Sequence, residues 1–308
     1  MRWITTLVCL VTGAVVARGE SAPGGLARPY PDLDHVLIIS IDGMRPDRML
    51  YADMPTVRGL LARGAYSFWA RTTAVAVTLP SHVSMLTGVV PQKHGIAWNS
   101  DDLPFSETVY PGKPTVMEMA RRAGYSTGLA AGKTKFTTLL KPGTVMYASL
   151  PPKGGEGNKF AVEAAERIIL DHHPDLMFVH LPDVDGAGHA YGWDSKEQLA
   201  AIELTDRDLK RILDALAKVG MMERTLIILT ADHGGAGRTH GPDDPRSRHI
   251  PWIAAGPHVK QGDLTREIDL VINTEDTCAT ACYVLGLSQL PYFDGKPVLA
   301  AFENPPVP

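Results

Sequence analysis

Cysteine, net charge and long hydrophobic segments are all scarce in this chain. Its 308 residues include three cysteines, and the formal net charge is −4. Cys278 and Cys282 are spaced one helical turn apart and are predicted to be free core side chains, whereas Cys9 lies in an apolar N-terminal run. We therefore expect no disulfide framework. The lack of a Lys/Arg stripe argues against a partner bound in a nucleic-acid groove.

The N-terminal segment has the composition of a secretory signal peptide. Arg2 precedes an apolar run that is too short to span a bilayer comfortably, and small residues follow before polar Arg18. We predict a signal peptide over residues 1–22, with cleavage near Ala17 or Ala22, and export to the periplasm or the extracellular space. No stable membrane span is expected after cleavage. The alternative is an uncleaved membrane anchor.

Short apolar runs alternate with helical patterns along the rest of the chain. This alternation predicts an α/β fold with a mostly parallel central sheet and helices on both faces, in a single domain over residues 30–303. The predicted strands are 36–41, 65–70, 126–131, 176–181, 225–230 and 250–255. The predicted helices are 54–63, 115–123, 160–171, 197–219 and 274–285, and the predicted long loops are 100–113 and 141–158.

Carboxylate and imidazole side chains follow three of the predicted strands. Asp42 ends the first strand, Asp185 and His189 follow the strand at 176–181, and Asp232 and His233 follow the strand at 225–230. An α/β enzyme carries its chemistry at the carboxyl edge of the sheet, so we expect these side chains to lie close together. Such ligands suit zinc, manganese or another divalent ion, and their number indicates two ions.

Thr78 is predicted to begin a helix. It lies two residues before Pro80, which favours a first helical turn, and the helical pattern runs to about Leu86. The free N–H groups at such a helix start favour an anion. A simple helix cap without chemistry is the alternative, and this segment alone favours the cap.

Several separate motifs follow one another along the chain. They are Asp42-Gly43, Thr78-Leu79-Pro80-Ser81-His82 leading to Thr87-Gly88, His94-Gly95-Ile96-Ala97-Trp98-Asn99, Asp185 with His189, Asp232-His233 and His240-Gly241. In order and context they resemble the alkaline phosphatase superfamily, and most of all its type I phosphodiesterase/nucleotide pyrophosphatase branch. The resemblance covers about residues 36–287.

The resemblance implies a two-zinc phosphoester hydrolase that acts on a small phosphoester. Thr78 would be the nucleophile and would form a phosphothreonine intermediate, and Asn99 would hold a phosphoryl oxygen. Metal coordination is one of the few ways to activate a Thr hydroxyl near neutral pH. The implied zinc ligands are Asp42, Thr78, Asp232 and His233 at one site, and Asp185, His189 and His240 at the other.

Two of these ligands have competitors nearby in the sequence. Asp183 competes with Asp185, but only Asp185 has the family's four-residue step to its histidine, and Asp183 is expected to be a hydrogen-bonding group. His249 competes with His240, which is preferred because it precedes the final strand. The other histidines are predicted to be structural or solvent-exposed: His35, His82, His94, His172, His173, His180 and His258.

Lys133 and Lys135 follow the strand at 126–131 and are predicted to contact substrate. The pair resembles the phosphate-contacting Lys and Arg of some monoesterases in the superfamily, and a doubly charged terminal phosphate gains more from such cations than a diester does. A phosphomonoesterase is therefore the alternative activity. A solvated loop is the structural alternative for both lysines.

The chain departs from animal-type phosphodiesterases between its last two motifs. Those proteins carry a long insertion there, whereas here His240 follows His233 almost at once, so their nucleotide-recognition residues cannot be transferred. The residues proposed to line the pocket are Trp98, Tyr110, Tyr191 and Trp193. A sulfatase is disfavoured because Thr78 replaces the required Cys or Ser, and a non-catalytic binding protein on the same fold is a further alternative.

Overall fold

The computed structural model describes residues 27–100 and 107–306. Within them, eight strands form one sheet in the order β4-β3-β5-β1-β6-β7-β2-β8. The strands are β1 (His35–Ile41), β2 (Gly64–Arg71), β3 (Thr127–Ala131), β4 (Tyr147–Ser149), β5 (Leu176–Leu181), β6 (Thr225–Thr230), β7 (His249–Ala255) and β8 (Gly262–Asp263). The predicted signal peptide and part of the predicted loop at 100–113 lie outside the described residues.

The centre of the sheet is parallel. β1 pairs in parallel with β5 on one side and β6 on the other, and β3 pairs in parallel with β5. β5 and β6 are buried along their whole length, as expected for apolar strands covered on both faces. β7 runs antiparallel to β6 and β2. The predicted mostly parallel sheet is confirmed, and the carboxyl ends of β5, β1 and β6 lie side by side.

Two groups of helices cover the sheet. Helices α1, α2, α6 and α7 all contact α8, while α3, α5 and α10 contact one another. None of the described helices combines the length and apolar composition needed to cross a membrane. The helices are α1 (Pro46–Tyr51), α2 (Pro55–Arg63), α3 (Thr78–Thr87), α4 (Pro91–His94), α5 (Val116–Arg122), α6 (Asn158–His172), α7 (Asp183–Tyr191), α8 (Lys196–Lys218), α9 (Pro245–Arg248) and α10 (Glu275–Val284).

The structure contains elements that were not predicted: the short helices α1, α4 and α9, of four to six residues each, and three further elements. The predicted loop at 141–158 contains β4, a three-residue edge strand that is too short to show an apolar pattern. β8 has only two residues and was not predicted for the same reason. Helix α7 was also missed, because Gly186 and Gly188 lower the helix propensity of this segment. Cys278 and Cys282 are free and buried, as predicted.

Replacing Glu275 with glutamine is expected to stabilise the fold at neutral pH. Glu275 is the first residue of α10 and its side chain is buried. Burial, together with nearby Asp276, raises its pKa from the ordinary value of 4.5 to about 7. Between pH 4.5 and 7 the folded state therefore keeps a proton on Glu275 that the unfolded state has released. The free energy of unfolding then falls as the pH rises through this range. We expect Glu275→Gln to add about 2 kcal/mol to the free energy of unfolding at pH 8.

Denaturant unfolding of the variant and the wild type at both ends of this pH range tests the prediction. At pH 4.5 and below, where the Glu275 carboxyl is protonated in the folded state, the two proteins should have nearly the same free energy of unfolding. A stabilisation that does not depend on pH would show that charge at this position is not the cause.

Candidate metal centre

Three side chains converge on the Nε2 atom of His233 at the carboxyl edge of the sheet. This atom lies 3.2 Å from Thr78 Oγ1, 3.3 Å from Asp42 Oδ1 and 3.2 Å from Asp232 Oδ2. Asp42 follows β1 and Asp232 follows β6, and the two strands are paired; Thr78 is the first residue of α3. The structure thus brings together the four residues predicted as ligands of one zinc ion.

Asp185, His189 and His240 form a second group beside the first. Asp185 and His189 lie one turn apart on α7, with His189 Nε2 3.3 Å from Asp185 Oδ1, and His240 Nε2 lies 3.8 Å from the same oxygen. The ligand atoms of these three residues lie within 4.8 Å of one another, as do those of Asp42, Asp185 and His233. Because Asp185 belongs to both sets, the two groups form one continuous centre.

The three histidines present the same ring nitrogen to the carboxylates. Each Nδ1 lies within hydrogen-bond distance of a backbone carbonyl, which can only accept, so Nδ1 carries the proton in the neutral ring. The Nε2 lone pair is then available to a metal, and the backbone bond fixes the ring orientation. The carbonyl partners of His189, His233 and His240 belong to Arg238, Gly234 and Ala76, at 3.0, 2.8 and 2.9 Å respectively.

The carboxylates of the centre contain buried oxygen atoms that lack a hydrogen-bond partner in the described structure. They are Asp42 Oδ1, Asp185 Oδ1 and Asp232 Oδ2, and each lies close to a histidine Nε2. An unpaired buried carboxylate oxygen is costly, and a divalent cation supplies the missing partner. The donor set of carboxylate oxygen and imidazole nitrogen fits zinc or manganese.

The carboxylates control the protonation of the histidines. Burial opposes a charged imidazole, but the Asp232 and Asp42 carboxylates raise the pKa of His233 to about 9. Burial, together with the neighbouring His233, lowers the pKa of His240 to about 4. Burial and the Asp42 charge raise the pKa of Asp232. Bound cations would compensate this concentration of negative charge, and they would have to displace the proton of His233.

Asn99 lies against the start of α3. Its Oδ1 accepts a hydrogen bond from the Leu79 N–H at 3.0 Å, and Lys135 Nζ donates to the Asn99 carbonyl at 2.8 Å. Because Oδ1 is an acceptor here, the Nδ2 amino group is the part of Asn99 that can donate to a phosphoryl oxygen. Lys135 is buried, so it is not a solvated loop residue.

Lys133, predicted to contact substrate, contacts two carboxylates of the metal centre in the structure. Its Nζ lies 2.7 Å from Asp42 Oδ2 and 2.7 Å from Asp185 Oδ2. Against the effect of burial, these two carboxylates raise the pKa of Lys133, so its ammonium group is charged. Lys133 and Lys135 therefore bind different partners, carboxylates in one case and Asn99 in the other, instead of forming a pair.

Two histidines that were predicted to be structural contact the ligand residues. His180 Nε2 lies 3.0 Å from Asp42 Oδ2. His82 Nδ1 lies 2.8 Å from the Thr78 carbonyl, and its Nε2 lies 2.8 Å from Ser40 Oγ. Burial keeps the pKa of both rings low. Both rings are buried hydrogen-bonding groups, which agrees with the predicted structural role, and His180 in addition bonds a predicted metal ligand.

Trp193 packs against both histidines of the second group. Its side chain is buried, its Nε1 donates to the Gly43 carbonyl at 2.9 Å, and its ring lies 5.3 Å from the His189 ring, edge to face. A Cβ atom added at Gly235 would lie 2.3 Å from this ring, which explains the second glycine after Asp232-His233. Trp193 is thus a packing residue; Tyr191, at 58% exposure, remains a candidate pocket residue, as do Trp98 and Tyr110.

The two competing ligands lie outside both groups. Asp183 Oδ1 accepts a hydrogen bond from the Asn158 N–H at 2.9 Å, at the start of α6, which agrees with the predicted hydrogen-bonding role. His249 begins β7 opposite Arg71, and its ring centroid lies 4.7 Å from that of Trp69.

Comparison with known sequences gives a consistent set of relatives. A family model described as type I phosphodiesterase/nucleotide pyrophosphatase matches residues 36–240. An uncharacterized pyrophosphatase/phosphodiesterase of Schizosaccharomyces pombe is 27% identical over 221 residues, which cover 65% of this chain and 44% of that protein. Human ectonucleotide pyrophosphatase/phosphodiesterase family member 7 is 22% identical over 259 residues, covering 76% and 54% respectively. This chain spans about half the length of these relatives.

Solved structures share the fold. Murine ectonucleotide pyrophosphatase/phosphodiesterase 5, as an inactive variant in complex with AMP, superposes with a TM-score of 0.75 at 15% identity, covering 88% of this chain and 100% of that one. A 2-O GAG sulfatase superposes with a TM-score of 0.69 at 16% identity, covering 87% and 74%. At these identities the likeness concerns the fold alone, and it confirms the predicted α/β architecture.

Proposed function

We propose that this chain, which belongs to the type I phosphodiesterase/nucleotide pyrophosphatase family, is an exported two-zinc phosphodiesterase that works through a phosphothreonine intermediate. The observation that carries the proposal is the convergence of Thr78 Oγ1, Asp42 Oδ1 and Asp232 Oδ2 on His233 Nε2, next to the group of Asp185, His189 and His240. One set of ligands includes the nucleophile, and the other lies beside it.

The side chains define the steps of this reaction. Thr78 Oγ gives up its proton to solvent and attacks phosphorus, and the bond from phosphorus to the leaving oxygen breaks. The phosphoryl group is transferred to Thr78, and the leaving oxygen takes up a proton from solvent and departs as an alcohol. Asn99 Nδ2 and the backbone N–H of Thr78 stabilise the charge on the phosphoryl oxygens. Water then displaces Thr78 from phosphorus and restores its hydroxyl. The bound metal ions would make the Thr78 alkoxide available and balance the charge of both oxygens.

The lysines support a diester substrate over a monoester. Lys133 is bonded to Asp42 and Asp185, so Lys135 is the lysine of the two that lies with Asn99 near Thr78. One cation suits a phosphodiester, which carries a single charge, better than a doubly charged terminal phosphate. The AMP complex of the murine relative is consistent with a small phosphoester.

Export rests on the N-terminal sequence, and a mature N-terminus just after Ala17 or Ala22 would establish it.

The zinc-loaded protein is expected to hydrolyse bis(p-nitrophenyl) phosphate with a kcat/KM about tenfold or more above that for p-nitrophenyl phosphate. Dialysis against EDTA should abolish both activities, and zinc should restore them. Steady-state kinetics with each substrate, before and after dialysis, tests this. A preference for the monoester would instead support the phosphomonoesterase alternative. Little zinc binding and no turnover of either substrate would support a non-catalytic binding protein.

A further inference from the structure

Lys133 joins the two ligand groups of the metal centre. Asp42 lies in the group around His233, and Asp185 lies in the group with His189 and His240. The Lys133 ammonium is 2.7 Å from one carboxylate oxygen of each. Its side chain is 17% exposed, while those of Asp42 and Asp185 are 0% and 4% exposed. The contact is therefore shielded from solvent.

The contacts divide the carboxylate oxygens into two sets. Asp42 Oδ2 binds both Lys133 and His180, and Asp185 Oδ2 binds Lys133. The Oδ1 atoms of the same two residues have no hydrogen-bond partner in the described structure. Lys133 thus holds one oxygen of each carboxylate and leaves the other oriented toward a histidine Nε2.

We propose that Lys133 is the internal counter-ion of the metal centre, which keeps the carboxylates of its two ligand groups together when no metal is bound. Asp42, Asp185 and Asp232 are all buried, and without a nearby cation their mutual repulsion would open the site. Lys133 and the metal ions then act on the same negative charge. Removing the ammonium should destabilise the metal-free protein more than the zinc-loaded protein, and should tighten zinc binding.

Lys133→Met is the decisive variant, and Lys135→Met is its matched control. Lys135 is a buried lysine of the same segment, but its ammonium bonds Asn99 and not the carboxylates of Asp42 and Asp185. Thermal unfolding in EDTA and in zinc gives the zinc-induced rise in Tm for each protein. We expect this rise to be about 5–10 °C larger in Lys133→Met than in the wild type. We also expect zinc to bind about tenfold more tightly in a chelator competition. Lys135→Met should match the wild type in both measurements.

The proposal would be overturned if Lys133→Met bound zinc no more tightly than the wild type and its zinc-induced rise in Tm were no larger. Its preference for monoester or diester substrates has no bearing on this test. The proposal rests on the proposed metal binding, but the two fail differently. If zinc does not raise the Tm of the wild type, the proposed function is wrong. The counter-ion role of Lys133 is then tested by thermal unfolding in EDTA alone, where equal Tm values for Lys133→Met and Lys135→Met would refute it. Should Lys133→Met not fold in EDTA, Lys133→Arg must retain near-wild-type stability there.

Discussion

Replacing Thr78 with alanine is expected to reduce kcat for phosphoester hydrolysis at least about ten-thousandfold. In the proposed reaction the Thr78 hydroxyl attacks phosphorus, and alanine removes that hydroxyl. Thr78 lies at the start of α3, and its Oγ1 is 3.2 Å from His233 Nε2. Initial rates with saturating bis(p-nitrophenyl) phosphate on zinc-loaded wild type and variant measure the loss.

Thr78→Ser is the matched control, because it keeps the hydroxyl and removes only a methyl group. It should retain activity within about a hundredfold of the wild type, and both proteins should show a phosphoryl adduct on the peptide that carries Thr78 when the reaction is stopped with acid. Near-normal turnover by Thr78→Ala, or an adduct on another residue, would refute the role of Thr78 as nucleophile. Thr78 would not then be the predicted helix cap either, because Val77 is the N-cap of α3 and Thr78 is its first helical residue.

The convergence of the three aspartates could be predicted in part from backbone topology. Asp42, Asp185 and Asp232 each follow a strand whose apolar sequence marks it as buried and parallel, and parallel strands end at a common edge. The actual order, with β5, β1 and β6 adjacent, could not be read from the apolar runs, since any of the central strands has the same pattern. The ligand positions therefore depended on the motifs as much as on the strands.

The roles of Lys133 and His180 could not be predicted, because they depend on side-chain direction and on contacts between strands. Ser40 of β1 lies two residues before Asp42 and pairs with His180 of β5, which brings His180 within reach of the Asp42 carboxylate. This pairing register exists only in the folded sheet. Lys133 was expected to extend toward substrate, but two buried carboxylates bind its ammonium more strongly than solvent would. Packing also explains why position 235 is glycine, because the Trp193 ring leaves no room there for a Cβ atom.

Replacing His240 with alanine is expected to lower kcat/KM about a thousandfold, which is about 4 kcal/mol of transition-state stabilisation. It should also reduce the zinc content of the purified protein from two ions to about one. His240 Nε2 lies beside Asp185, its Nδ1 bonds the Ala76 carbonyl, and its ring stacks on that of His233 at 3.6 Å. Removing it leaves two side chains in the second group. Steady-state kinetics and elemental analysis of the dialysed protein provide the two measurements.

His249→Ala is the matched control, because His249 was the competing ligand in the sequence and lies at the start of β7 against Trp69. It should retain two zinc ions and lose less than about tenfold in kcat/KM. The reverse pattern, with zinc lost from His249→Ala and retained by His240→Ala, would show that the last ligand was assigned wrongly. Loss of both zinc ions from His240→Ala would instead show that the two groups bind metal as one cooperative unit, with Asp185, common to both ligand sets, as the link.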